Sequence, residues 1–228
     1  METYVTRTQF EQELLNLRHK MLEMGSSADH MLALAMTALT EQDIDKAEEV
    51  IALDDSVDRM DLEIEAECLR LIAMQQPIAR DLRLIGTAFK AITDIERIGD
   101  HAVDIAKVAR ELAMDTFYKP IVDLPRMAVR VRAMLQDVLS SFVNHDLQLA
   151  DKVITNDDEV DEMYDQLRTE LLEGMQRNPG VVLQASHLLL VALYLERIAD
   201  HAVNIAERVY YVETGDLAQL ARSHRTNS

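Results

Sequence analysis

Glycine and proline are scarce in this sequence: its 228 residues include 6 Gly and 4 Pro. Because these two residues form most tight turns, a chain so poor in them has few turns and long regular elements. Aromatic residues make up 4% of the chain and tryptophan is absent, so Leu, Ile, Val, Ala and the 12 Met must fill the core. These scarcities predict long elements that pack through aliphatic and methionine side chains.

Cysteine and long apolar runs are also nearly missing. Cys68 is the single cysteine, which excludes an intramolecular disulfide, and its apolar helical surroundings indicate a core position. The opening residues, METYVTRTQF, lack the apolar segment of a signal peptide. The longest uncharged apolar stretch, residues 188–195, is far shorter than the roughly 20 residues of a membrane span. We therefore expect a cytoplasmic protein without direct membrane insertion.

Basic residues are few relative to acidic residues. The chain has 23 Lys and Arg against 41 Asp and Glu, a formal net charge of -18. This balance argues against nucleic-acid binding, which gains affinity when Lys and Arg neutralise phosphates. It suits a partner with a basic surface, bound cations, or simply an acidic surface that keeps the protein soluble.

The common enzyme motifs are absent from the sequence. It contains no GxxxxGK[ST] phosphate loop, no GxSxG nucleophile turn and no Glu-x-x-His pair of the di-iron bundles. One cysteine is too few for a zinc site built from thiolates. No nucleophile stands beside an obvious base, so we predict that the protein is not an enzyme.

What the chain does contain is a helical pattern along most of its length, with apolar residues at i, i+3, i+4 and i+7. The pattern predicts helices at 8–40, 43–75, 77–114, 124–143, 146–176 and 179–213. Asp43, Asp123 and Asp146 are predicted N-caps, and Asn178 with Pro179 is predicted to open the last helix.

The sequence also repeats itself. ERIGDHAVDIAK at 96–107 and ERIADHAVNIAE at 196–207 agree at nine of twelve positions, and residues 43–60 match 146–163. The repeat predicts an all-α fold of six long helices, arranged as two tandem, pseudo-symmetric antiparallel three-helix bundles. We place the first bundle at 1–118, the second at 119–215 and a disordered tail at 216–228.

Acidic residues recur at the four-residue spacing that stacks side chains on one face of a helix. The predicted site residues are Glu96, Asp100 and Asp104 with Asp54 and Asp58 from the preceding helix, then Glu196, Asp200 and Asn204 with Asp157 and Asp161. Because an antiparallel hairpin mirrors residues about its turn, Asp58 should lie level with about residue 94. We therefore predict one composite carboxylate site in each bundle. Clustered oxygen ligands suit hard cations, and the alternative is a solvated acidic face.

We call the acidic residues that stack at four-residue spacing on one helix a carboxylate column. His101 and His201 belong to the same repeated phrase, but they lie about 100° round the helix from Asp100 and Asp200 and so outside the columns. We interpret them as surface or interhelical histidines rather than as ligands.

Two stretches, DLRLIGTAFKAITDIERIGDHAVDIAK and LERIADHAVNIAE, lie in a duplicated three-helix unit with a QQP turn. Together they resemble the PhoU family from about residue 8 to residue 214. The resemblance implies tandem three-helix bundles, often dimeric, that serve as an accessory protein of phosphate-specific transport. It implies negative regulation of the phosphate-starvation regulon, by coupling the transporter's ATPase subunit to a phosphate-sensing histidine kinase.

The resemblance also implies a divalent or trivalent metal, such as iron, zinc, magnesium or manganese, at E/D-xxx-D motifs. In this sequence the motifs fall on Glu96, Asp100 and Asp104 and on Glu196 and Asp200, with Asn204 in place of a third carboxylate. The asparagine removes one charge, so we expect weaker metal binding or fewer ions in the second bundle.

Two alternatives to the adaptor remain open. One is a carboxylate-rich bundle that senses or stores metal, and the other is a structural helical dimer whose acidic faces serve solubility. Because a column of carboxylates repels phosphate, we also expect the phosphate signal to arrive through the state of the transporter.

Overall fold

A computed structural model of the chain describes residues 2–216. Within this range there are six α-helices, one 3-10 turn and no strand. They are α1 (Glu2–Glu41), α2 (Ile44–Gln75), α3 (Ala79–Leu112), α4 (Asp123–Asn144), α5 (Leu147–Arg177), the turn Pro179–Val181 and α6 (Val182–Thr214). The predicted all-α class with six long helices is confirmed. Of the tail expected at 216–228, all but Asp216 lies outside the described residues.

Side-chain caps set the starts of three elements, as predicted. Asp43 accepts a hydrogen bond from the backbone of Lys46 at the start of α2. Asp146 does the same for two backbone N–H groups of α5, and Asn178 accepts from Gly180 in the 3-10 turn. Each cap satisfies donors that have no partner within the helix.

The prediction of a cap at Asp123 is wrong. Asp123 is the first residue of α4, and Val122 stands at the N-cap position without a side-chain bond. Val122 already has helical backbone angles, so the helix begins earlier than an aspartate cap would allow. The Asp123 carboxylate still lies at the positive end of the helix dipole, where a negative charge is favourable.

α1, α2 and α3 pack together as the first bundle, and α4, α5 and α6 as the second. Their facing sides form a core of Leu, Ile, Val, Ala and Met. Cys68 is fully buried in this core, and burial raises the pKa of its thiol to about 12. The predicted core role of Cys68 is therefore confirmed.

The two bundles pack side by side, α3 against α6 and α1 against α4. α3 and α6 run antiparallel, since Arg80 contacts Glu213 at one end and Glu111 contacts His187 at the other. Equivalent residues of the two copies meet across this junction, among them His101 and His201. The duplication therefore folds about a pseudo-two-fold axis that passes between the bundles.

The segment Pro179–Thr214 is long and apolar enough to cross a membrane, with a mean hydropathy of 1.5 over its most apolar 18 residues. A core helix of a helical bundle meets the same criterion of length and composition. α6 is such a helix, because α3, α4 and α5 all pack against it. Its hydropathy is therefore weak evidence for a membrane span.

Candidate functional site

In the first bundle, α2 places its acidic column beside the column of α3. Burial raises the pKa of Asp54, and the nearby carboxylates of Asp58 and Asp100 raise it further. Burial also raises the pKa of Glu96, with Asp100 and Asp58 acting in the same direction against Arg97. Asp54 thus interacts with Asp100 and Asp58 with Glu96, within a helical turn of the level predicted from the hairpin. The two acidic columns are therefore neighbours in this bundle, and the composite site predicted there stays a prediction.

Cations of α3 itself offset part of this negative charge. The Arg97 guanidinium donates to Asp100 at 2.7 Å, and its Nε lies 3.4 Å from Glu96. Lys107 donates to Asp104 at 3.3 Å. The Arg97 side chain is 55% exposed, so its ion pairs are screened and contribute little to stability.

The second bundle repeats the cluster in a more enclosed form. The Glu196 side chain is 19% exposed against 25% for Glu96, and Asp200 is 18% exposed against 35% for Asp100. Asp157 on α5 is buried. The charged forms of these carboxylates are therefore less well solvated than those of the first cluster.

Burial raises the pKa of Glu196 to about 7, and Asp200, Asp161 and Asp157 contribute to the rise. Arg197 acts against it, with its Nε 3.5 Å from Glu196 and a hydrogen bond of 3.2 Å to Asp200. One oxygen of Glu196, Oε2, is buried and accepts no hydrogen bond from any described residue. Burial and the neighbouring carboxylates therefore favour the protonated form of Glu196 more than that of an exposed glutamate.

Asp104 and Asn204, the third residues of the two columns, make different contacts. Asp104 lies beside Lys107 and 3.9 Å from Nδ1 of His101. Asn204 instead donates its amide to Asp94 of α3 at 3.1 Å. The change from aspartate to asparagine gives the second copy a hydrogen-bond donor for the opposite bundle, and the metal role of Asn204 stays a prediction.

Rings of α3 and α6 contact each other where the two bundles meet. His101 stacks on Tyr194 with ring centroids 5.6 Å apart and lies 5.8 Å from the ring of His201. His201 Nδ1 lies 2.9 Å from a carboxylate oxygen of Asp94. Burial lowers the pKa of His101, and the neighbouring His201 lowers it further. The interpretation of both histidines as interhelical residues is confirmed.

Asp94 and Tyr194 were missed as site residues by the sequence reasoning. They occupy equivalent positions, 100 residues apart, and each lies seven residues before a repeated histidine. A seven-residue spacing places side chains on the same face of a helix, two turns apart. That spacing was the available signal, but the two residue types differ, so the repeat alone did not reveal them.

The donors present match a hard cation in type, because both clusters offer carboxylate oxygens and Glu196 has one buried oxygen without a hydrogen bond. Between residues 2 and 216, however, no group of three or more His, Cys, Asp or Glu side chains is arranged to hold a metal ion. Arg97 and Arg197 pair with Asp100 and Asp200, so a cation would have to displace these guanidinium groups. The metal role of the ten predicted residues stays a prediction.

Comparison with known proteins agrees with this architecture. The sequence matches the PhoU domain twice, over residues 21–109 and 124–209. It is 42% identical to a phosphate-specific transport system accessory protein PhoU homolog of Clostridium acetobutylicum, over 95% of this chain and 99% of that protein. It is 40% identical to the PhoU homolog of Deinococcus radiodurans, over 92% of this chain and 98% of that protein.

Solved structures give the same result. PhoU from Pseudomonas aeruginosa superposes with a TM-score of 0.88 at 35% identity, over 91% of this chain and all of that one. The phosphate transport system regulatory protein PhoU from Streptococcus pneumoniae gives 0.87 at 31% identity, over 92% of this chain and all of that one. With both halves matched in sequence and in fold, the chain belongs to the PhoU family.

Proposed function

We propose that this chain is an accessory protein of a phosphate-specific transport system that represses phosphate-starvation genes when phosphate is plentiful. In this role it couples the cytoplasmic ATPase subunit of the transporter to a phosphate-sensing histidine kinase, as a regulator rather than an enzyme. The observation that carries the proposal is the match to accessory proteins, which covers nearly the full length of this chain and of each relative.

The fold supports an adaptor in two ways. The two bundles carry similar acidic clusters, so one molecule presents two related surfaces to its surroundings. The net charge of -18 favours partners with basic surfaces and speeds their encounter with the protein. Two related surfaces also suit a homodimer, which we include in the proposal, together with a cytoplasmic location.

A second candidate function is metal sensing or storage. The observation that favours it is the enclosed cluster around Glu196, where burial and three aspartates raise the pKa of the carboxyl group to about 7. Gathering partly buried carboxylates has a free-energy cost, and a bound cation such as iron, zinc, magnesium or manganese would offset it. In such a protein the response to partners would require the ion.

The experiment that tests the adaptor uses the ATPase subunit, immobilised, and the cytoplasmic part of the kinase in solution. The adaptor predicts that the kinase is retained only when this chain is added. Absence of retention with the wild-type chain, with or without added metal, would contradict the proposal.

A variant separates the two candidate functions. Asp100→Ala with Asp200→Ala removes the central carboxylate of each column, and Asp55→Ala with Asp158→Ala is the matched control, because both of those residues are exposed on the acidic helices. A metal-independent adaptor keeps full retention in both double variants and in chelator. A metal sensor loses retention in chelator and in the first double variant only.

A further inference from the structure

Basic side chains gather around one carboxylate where the two bundles meet at the end of α6. Arg80, in the first turn of α3, donates to both carboxylate oxygens of Glu213 at 2.8 and 2.9 Å. His145, which ends α4, lies with its Nδ1 2.8 Å from the same carboxylate. Arg83 donates to the backbone carbonyl of Val212 at 3.1 and 3.0 Å. Three helices from the two bundles thus meet at the last turn of α6.

Arg18 of α1 adds a third guanidinium to this cluster. Burial lowers its pKa, and the charge of Arg80 lowers it further, whereas Glu213 and Asp81 act in the opposite direction. Its Nε is buried and donates to no described residue. An N–H of a charged group favours an acceptor, so this Nε is a donor available to a ligand.

The cluster is positive in a strongly acidic protein. Arg18, Arg80 and Arg83 carry three positive charges, which the carboxylates of Glu213 and Asp81 do not fully balance. Burial lowers the pKa of His145, and Arg18 lowers it further, whereas Glu213 acts in the opposite direction. An excess of guanidinium groups over carboxylates attracts anions.

The duplicated copy shows that the fold does not need these cations. Gln42 and His145 are equivalent, 103 residues apart, and both take the left-handed conformation with φ of 56° and 57°. At the first junction Gln42 alone donates to the carbonyls of Leu112 and Asp115, at the end of α3. The positions equivalent to the three arginines and the glutamate are Ile121, Gly180, Leu183 and Ala113. One copy therefore closes its junction through Gln42, without equivalents of these arginines.

We propose that Arg18, Arg80, Arg83 and His145 form a binding site for a tetrahedral oxyanion of the phosphate class, which the Glu213 carboxylate occupies in the free protein. A phosphate group carries about 1.5 to 2 negative charges near neutral pH and offers several acceptor oxygens to guanidinium groups. It matches this donor set better than a single carboxylate does, and it supplies an acceptor for Arg18. Displacing Glu213 removes its contacts with Arg80 and His145, while Arg83 still holds the last turn of α6 through Val212.

Such a site lets phosphate act on the chain directly, in addition to any signal that arrives through the state of the transporter. The acidic columns repel phosphate, but the arginine cluster contains none of the column residues. The site does not depend on the proposed regulatory role, because binding is measured on the isolated chain.

Calorimetric titration of the full chain with inorganic phosphate tests the site. Chelator is present, so that no metal ion can bridge phosphate to the carboxylate columns, and ionic strength is held constant with chloride. Glu213→Gln removes the competing charge, so it is expected to bind phosphate about tenfold more tightly than the wild type. Adding Arg80→Gln to that variant is expected to reverse the gain, and O-phosphoserine serves as a second ligand.

Arg110→Gln in the Glu213→Gln background is the matched control, because Arg110 pairs with Glu48 at the other end of α3. This control is expected to bind as Glu213→Gln does, and thermal unfolding verifies that each variant is folded. Binding of inorganic phosphate supports a site for the free anion, and binding of O-phosphoserine alone supports a site for a phosphorylated side chain. Two results overturn the proposal: no saturable binding of either ligand to Glu213→Gln, or an equal loss from the Arg110 and Arg80 changes.

Discussion

Asp29 and Arg132 form a two-point ion pair that joins α1 to α4 across the junction of the bundles. The guanidinium Nε and Nη2 donate to the two carboxylate oxygens at 2.7 and 2.9 Å, and Gln136 adds a third hydrogen bond at 3.0 Å. The two residues are 103 positions apart and therefore occupy equivalent places in the two copies. One copy has an acid where the other has a base, so the duplicated halves have diverged to bind each other.

Breaking this pair should weaken the junction of the bundles. The Asp29 side chain is 14% exposed, so Asp29→Asn leaves the Arg132 charge without its partner. We expect a loss of about 1–2 kcal/mol in the free energy of unfolding, measured by urea denaturation. Glu11→Gln, which breaks the exposed pair with Arg7, should change the same quantity by less than about 0.5 kcal/mol. Equal losses from the two variants would mean that Asp29 does not join the bundles.

Gly25 of α1 packs directly against Leu139 of α4. A Cβ atom at this position would lie 2.5 Å from both terminal carbons of Leu139. Gly25→Ala should therefore lower the free energy of unfolding by up to about 2 kcal/mol, because moving the buried Leu139 costs about 1–3 kcal/mol and alanine returns up to about 1 kcal/mol as the better helix former. Differential scanning calorimetry measures the change.

Gly86 provides the matched control for that substitution. It lies within α3, and a Cβ atom there meets nothing within 4 Å. Gly86→Ala should raise the free energy of unfolding by up to about 1 kcal/mol, because alanine is the better helix former. A loss of stability at both glycines would show that close packing at Gly25 is not the cause.

The pKa of about 7 at Glu196 predicts how stability depends on pH. In the unfolded chain this group titrates near 4.5, so between these two values the folded protein binds more protons than the unfolded one. Stability therefore falls as the pH rises from about 4.5 to about 7, and the loss is complete above that range. Glu196→Gln removes the loss, which is about 1–3 kcal/mol.

Urea denaturation in chelator at pH 5 and pH 8 tests this dependence. The stability gain of Glu196→Gln over the wild type should be clearly larger at pH 8. Glu96→Gln should show the same direction, because burial raises the pKa of that carboxyl group as well. A gain that is equal at the two pH values would contradict the account of Glu196.

Metal content tests the carboxylate clusters directly. The metal-binding candidate predicts that mass spectrometry of untagged protein, purified without chelator, finds stoichiometric metal in the wild type and little in the Asp100→Ala, Asp200→Ala double variant. The Asp55→Ala, Asp158→Ala double variant should retain it. Of the single changes, Asp100→Ala should remove more metal, because Asn204 leaves the second cluster with one carboxylate fewer. Absence of metal from the wild type would make the clusters docking surfaces instead.

Much of the fold could be predicted because its signals are local or repeated. Asp43 and Asp146 cap the starts of α2 and α5, and such capping is a short-range signal in the sequence. The repeated phrase predicts two equivalent units. The pairing of Asp58 with Glu96 followed from simple hairpin geometry. The cap at Asp123 was predicted wrongly because Val122 already takes helical angles, and such a local backbone choice has no clear signature in the sequence.

The junction between the bundles was not predictable in the same way. Several of its contacts join residues more than 100 positions apart, such as Arg80 with Glu213 and Asp94 with His201. The pairing of helices across the junction depends on how the two folded bundles pack against each other. Neither the helical periodicity nor the repeat predicts which helices face each other across the junction. The arginine cluster could therefore be recognised only in the three-dimensional structure.

Expression of phosphate-starvation genes in phosphate-rich medium tests the central claim most directly. Deleting the gene for this chain in its own cell should switch a phosphate-starvation promoter on despite plentiful phosphate, and restoring the wild-type chain should switch it off. A promoter that stays repressed after the deletion would contradict the proposed regulatory function.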